Sequence, residues 1–78
     1  MDKEIEQIRK KIGIKIKLER TKQNLSQEKL SELADLSKTY VNSIEHAQSS
    51  PTLDTLIKIA RAFNMSLSEL VDIEKFTI

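Results

Sequence analysis

The chain has 78 residues, of which 38% are hydrophobic and 32% charged, with 13 basic against 12 acidic side chains and a net charge of +1. This length predicts one domain, 1–78, and the charge balance excludes a polycation-like tail, so a polyanion can be met only by local placement of charge. With no Cys, one His and one Gly, the composition excludes a disulfide framework, a thiolate or His-rich metal site, a Cys nucleophile and a Gly-rich phosphate loop.

No apolar run approaches the length of about 18 residues that crosses a membrane. The start, Met1-Asp2-Lys3-Glu4, lacks the apolar core of a signal peptide, so no membrane partner and a cytoplasmic setting are expected. One Gly and one Pro argue against a turn-rich β fold. A domain this short buries only roughly 60% of its unfolded surface, which makes homodimerisation a common remedy.

The pattern predicts five helices. The first runs from Lys3 to Gln23, with Ile5, Ile8, Ile12 and Ile16 as a stripe at spacings of three and four. Within it, Ile12-Gly13-Ile14-Lys15-Ile16-Lys17-Leu18 alternates with period two, a strand signal. Helix is preferred because both flanks are strong helix formers and a lone strand would find no partner. Gly13 costs a helix about 1 kcal/mol. Asn24 is a left-handed stop. The second helix spans Gln27 to Ala34 with Ser26 as N-cap, Leu30 and Leu33 inward, and Asp35 tolerating the positive φ that ends it. The third spans Lys38 to His46, capped by Ser37, with Val41 and Ile44 inward. The fourth spans Leu53 to Phe63 after a Thr52 cap, with Leu53, Leu56, Ile59, Ala60 and Phe63 as its stripe. The fifth opens with Ser66-Leu67-Ser68-Glu69, a capping-box spacing. The fold class is therefore all-α, a compact five-helix domain.

The join of the second and third helices is the informative part. Two helices linked by a turn of three to four residues make a helix-turn-helix, here about 27–46. Small Ser31 lets the third helix pass close to the second, Leu36 plugs the corner, and Val41 with Ile44 clips the third helix to the core. Its opposite face is then Lys38, Thr39, Asn42 and Ser43, all polar and none acidic. Asn pairs bidentately with adenine, Lys reaches guanine acceptors, and the Thr methyl touches a thymine methyl. Gln27 and Ser37 stand at helix starts, where backbone N–H groups bind phosphates.

At these residues the chain resembles the XRE/lambda-repressor-like helix-turn-helix family of bacterial and phage regulators, over about Ile12 to Val71. The resemblance is carried by Ile16-Lys17-Leu18-Glu19-Arg20, Leu25-Ser26-Gln27-Glu28-Lys29-Leu30, Leu36-Ser37-Lys38-Thr39-Tyr40-Val41-Asn42-Ser43-Ile44-Glu45 and Pro51-Thr52-Leu53-Asp54-Thr55-Leu56-Ile57-Lys58-Ile59-Ala60-Arg61-Ala62-Phe63. It implies a lambda repressor-like domain that binds a double-stranded DNA operator as a homodimer, and the length suits the restriction–modification controller proteins. It also implies that Gln27 fixes the start of the second helix on a phosphate. Lys38, Thr39, Asn42 and Ser43 would read bases or adjoining phosphates, Tyr40 would touch backbone or bases, and Arg20 would pair with Glu45. The family favours Gly at Asp35 and Ala at Ser31. After Glu45 it favours a basic residue and Gly, where this chain has His46-Ala47-Gln48-Ser49-Ser50, so contacts from that loop should be weaker.

The segment from Arg9 to Lys22 carries seven basic residues and one acid, Glu19. A solvated helix face accounts for it, with electrostatic steering of DNA as the alternative. His46 has no ligand partner nearby, and no metal or cofactor is expected. Helix five and the tail, 66–78, are expected to dimerise through Leu70, Ile73 and Phe76, which are apolar beyond the core pattern. The function expected is a sequence-specific transcription regulator without a small-molecule ligand. The alternative is an antitoxin or adaptor that binds protein on the same fold. An enzyme is not expected, because no nucleophile–base pair or metal set can be assembled.

Overall fold

The caps expected at Ser26, Ser37, Thr52 and Ser66 are oxygen-bearing side chains able to take a free backbone N–H. In the computed structural model, which describes residues 2–74, Asp2, Ser26, Ser37, Thr52 and Ser66 each do so. They open α1 (Lys3–Lys22), α2 (Gln27–Ala34), α3 (Lys38–Glu45), α4 (Leu53–Ala62) and α5 (Leu67–Leu70). Ser66 and Glu69 complete a reciprocal capping box. Gln23, His46 and Phe63, expected as last helical residues, instead hold the C-cap positions. Asn24, Asp35, Ala47 and Asn64 then turn the chain through the left-handed region.

No strand occurs among the described residues, and the alternating stretch of α1 is helical throughout. Burial selects Ile12, Gly13 and Ile16 and leaves Ile14 and Leu18 exposed. Gly13 is explained by packing: a Cβ there would lie 2.7 Å from the carbonyl oxygens of both Ile44 and Glu45. The glycine lets α1 run against the end of α3, which offsets its poor helix propensity.

The core is Ile12, Ile16, Leu30, Ala34, Val41, Ile44, Ile59, Ala60, Phe63 and Leu70, with Leu25, Leu36, Tyr40, Leu56, Met65 and Ile73 packed around it. α1 packs on α3 and α5, α2 on α3 and α4, and α4 on α5. Gln23 ties the end of α1 to the end of α4, its Nε2 donating to the Phe63 carbonyl at 3.1 Å.

Four expectations about burial are corrected. Leu33 is 50% exposed, because the buried arc of α2 is Leu30, Ser31 and Ala34, turned one position away from it. Leu53 is exposed at the first turn of α4, beyond the packed part of the stripe. Ile5 and Ile8 are exposed where α1 projects past the core, beside Ser50 and Pro51. Leu70, expected at a dimer surface, is 0% exposed in the core, where α5 closes over α1 and α4; it has no surface to offer a partner. Ile73 is partly buried against the same core, and Phe76 lies outside the described residues.

Candidate nucleic-acid interface

The corner between α2 and α3 is made by local chemistry. Asp35 takes the left-handed conformation, φ 57° and ψ 50°, and the Leu36 N–H returns to the Ser31 carbonyl at 2.8 Å. This closes the last turn of α2 in the way left-handed helix ends usually do. Ser31 is buried, and its hydroxyl donates back to the Glu28 carbonyl at 2.6 Å, so it brings no unmet polar group into the packed side of the corner. Leu36 packs against the core from the turn. Ser37 then starts α3, its Oγ accepting the Tyr40 N–H at 3.1 Å.

α3 is two-sided. Val41 and Ile44 are buried; Lys38 and Thr39 are exposed, and Asn42 and Ser43 are half-exposed. The four polar residues thus stand together on the outer side of the helix. The single acid of α3, Glu45, is turned away from them: its side chain is 1% exposed and accepts from Arg20, Nε to Oε2 at 2.7 Å and Nη2 to Oε1 at 3.1 Å. Arg20 also donates through Nη1 to the Leu25 carbonyl at 2.8 Å, so that all three of its guanidinium nitrogens are engaged. Lys38 is therefore the one uncancelled charge on α3. The positive ends of α2 and α3 add fixed partial charge at Gln27 and Ser37.

The structure joins residues that were named separately from the sequence. Gln27 Nε2 donates to Asn42 Oδ1 at 3.0 Å and to Glu45 Oε1 at 3.1 Å. One connected network thus runs from Arg20 through Glu45 and Gln27 to Asn42. Tyr40 faces differently from the ridge: its ring packs against the core and its hydroxyl lies 3.3 Å from Thr55 Oγ1. Thr55 is buried and also bonds Thr52. The Tyr40–Thr55 and Gln27–Asn42 pairs have no local signature in the sequence, since each joins residues 15 positions apart.

The chain leaves α3 by a different route. His46 Nδ1 donates to the Asn42 carbonyl at 2.8 Å, and the backbone N–H groups of Gln48 and Ser49 both return to the Ser43 carbonyl. Ala47 is left-handed with φ 59°. It stands where the resemblance favours Gly, and that departure was the available signal for a strained position. Among the described residues no cluster of His, Asp or Glu is placed to hold a metal, and no helix is long and apolar enough to cross a membrane.

A family model described as helix-turn-helix matches residues 16–70. Control protein C.SmaI of Serratia marcescens is 46% identical over 48 residues, 62% of this chain and 57% of that protein. The chain thus matches less than two thirds of that relative's length. Control protein C.MunI of a Mycoplasma species is 41% identical over 70 residues, 87% of this chain and 95% of its own. Among solved structures, the restriction-modification controller protein C.AhdI of Aeromonas hydrophila superposes with a TM-score of 0.77 at 34% identity, covering 78% of this chain and 92% of that one.

Proposed function

This chain belongs to the helix-turn-helix family, and on that premise we propose that it is a sequence-specific DNA-binding transcription regulator that lays α3 in the major groove. The observation that carries the reading is the two-sided build of α3. Val41 and Ile44 anchor one side, and the other holds Lys38, Thr39, Asn42 and Ser43 outward with the Glu45 charge withdrawn. Residues near the start of such a helix are the ones that reach base edges. Lys38 supplies donors for guanine, the Thr39 methyl packs on a thymine methyl, and Asn42 and Ser43 follow along the groove. The helix starts at Gln27 and Ser37 grip the phosphates on either side through backbone N–H groups. Tyr40, with its hydroxyl engaged by Thr55, braces α3 from behind.

The names of the relatives, two control proteins and a restriction–modification controller, support a controller role for this chain. The proposed mechanism is operator occupancy by a homodimer on a two-fold site, with half-site centres about 34 Å apart. Among the described residues of α5 and the following segment, the apolar Leu67, Val71 and Ile73 retain exposed surface for such an interface.

Selection from a random DNA pool, followed by gel-shift titration at low and high salt, tests the reading. One enriched two-fold motif that survives high salt is the expected result. Binding that is indifferent to sequence and vanishes with salt overturns it. Sedimentation showing a monomer held tightly on one half-site overturns the dimer. A stoichiometric protein partner without any DNA affinity would transfer the site to the adaptor reading.

A further inference from the structure

Resting on the DNA-binding reading, we infer that His46, at the end of α3, binds a DNA phosphate only in its protonated form, so that each protomer takes up a proton on binding and affinity for DNA rises as pH falls.

Position comes first. Lys38, Asn42 and His46 follow one another at spacings of four, which places them in one row along the outer side of α3. His46 is exposed and stands about 12 Å along the helix from Lys38. With the start of α3 at the base edges of a groove about 12 Å wide, the far end of the helix meets the sugar–phosphate rim. The loop that follows has little else to give a phosphate. The backbone N–H groups of His46, Ala47, Gln48 and Ser49 all donate within the protein, to the carbonyls of Asn42, Ile44 and Ser43. From His46 to Thr52, His46 is the one side chain that can carry positive charge.

The proton decides what that side chain presents. The Asn42 carbonyl can only accept, so Nδ1, 2.8 Å from it, must carry a hydrogen. In the neutral ring this leaves Nε2 with a bare lone pair, which a phosphate oxygen, itself an acceptor, repels. A proton on Nε2 turns the same atom into a charged donor, the strong kind of partner for phosphate. Among the described residues nothing accepts from Nε2, and neighbouring Glu45 is turned inward onto Arg20. Of the two helices packed on α3, α1 brings Glu6, Lys10 and Lys17 to the side on which Gly13 meets α3, and α2 brings exposed Glu28 beside Gln27. The lysines oppose a further positive charge and the acids favour it. DNA, with one negative charge per about 1.7 Å of its axis, outweighs both.

Histidine changes charge between about pH 5 and pH 8. His46 is the single His of the chain, so the effect can be assigned to one residue. Fluorescence anisotropy of a labelled duplex carrying the selected motif, from about pH 8 to about pH 5, tests the inference on the unmodified protein, His46→Gln and His46→Arg. The affinity of the unmodified protein should rise by about tenfold toward acid. His46→Gln keeps a neutral donor and should lose that rise; it also subtracts any contribution from the terminal amine and the carboxylates. His46→Arg should bind tightly throughout, with a salt slope steeper by about 0.9 per protomer at the alkaline end. Calorimetry in two buffers of different ionisation enthalpy should register proton uptake by the unmodified protein that His46→Gln lacks. Thermal melts at each pH confirm that the variants fold. An equal rise in His46→Gln overturns the inference. So does an unmodified protein whose affinity ignores pH, because the ring then turns to offer a neutral Nε2–H. A backbone contact is blind to sequence, so an unrelated duplex at low salt should show the same difference between the proteins. Failure of all three proteins to bind any duplex sinks the DNA-binding reading, and the inference with it.

Discussion

The two ends of α3 are held in place by different means. At its start, everything needed lies within a few residues: left-handed Asp35, the Leu36 plug and the Ser37 cap. At its end, the local chemistry is poor. Ala47 occupies a left-handed position without the side-chain oxygen of Asp or the freedom of Gly. That end is held from outside, by Gly13 of α1 pressed against the Ile44 and Glu45 carbonyls and by Arg20 on the Glu45 carboxylate. A recognition helix can thus be aimed by a locally encoded corner at one end and a tertiary clamp at the other. The ridge of Lys38, Thr39, Asn42 and Ser43 lies between the two.

The most severe way to break this arrangement is Arg20→Ala. It leaves the Glu45 carboxylate buried and without its cation, a loss expected to cost about 3–5 kcal/mol. Thermal unfolding measures it. A double-mutant cycle with Glu45→Gln should recover a good part of the loss, because the uncompensated charge is gone. Gly13→Ala comes next. Its Cβ cannot fit 2.7 Å from two backbone oxygens, so α1 must shift away from α3. The expected cost is about 1–3 kcal/mol despite the better helix propensity of Ala. If Gly13→Ala is neutral in urea unfolding, the close approach is not what holds this end.

Ala47→Gly sharpens the comparison in the opposite direction. Relief of the left-handed strain should stabilise by about 1 kcal/mol, an increase of roughly 4–8 °C in Tm. Asp35→Gly at the other end should gain much less, because Asp already tolerates that conformation. Equal gains at the two positions would erase the difference between the ends.

The smallest effect concerns α5, whose start is local like that of α3. The Ser66 backbone N–H donates to Glu69 at 2.9 Å, and this bond, with the Ser66 hydroxyl and the nearby Lys15 charge, holds the Glu69 carboxyl below the usual carboxylate range. A lowered folded-state value means that the contribution is present above the ordinary Glu pKa and is lost as pH falls through the folded one. The Tm difference between the unmodified protein and Glu69→Gln should therefore be small near neutrality and shrink toward zero in acid. A difference that grew in acid would reverse the sign of this account.

Much of the fold was legible because its punctuation is local. Ser26, Ser37, Thr52 and Ser66 announce helix starts, and Asn24 and Asp35 announce stops, whatever the tertiary fold. The ridge on α3 was legible for a related reason: Val41 and Ile44 are apolar at helical spacing, so the opposite side had to be the polar one. Residues at the margins of a stripe were not legible. Leu33 satisfies the same period as Leu30, but the buried arc of α2 is set by where α3 and α4 lie, and that rotates Leu33 into solvent. Leu70 shows the converse, since a helix of four residues has too little pattern to reveal that its last residue enters the core.

The sequence by itself determined five helices, four of them with their caps, the corner at Asp35 and the polar face of α3, because propensity, capping and periodicity act over a few neighbouring residues. Only the tertiary structure decided which apolar residues are core, why α1 must contain Gly13, and how Arg20, Glu45, Gln27 and Asn42 share their hydrogens. Those outcomes depend on carbonyls, charges and amides that lie 15 or more positions apart in the chain and meet only when the helices pack. No local preference can rank such meetings, because their energies exist only once water has been excluded between the partners.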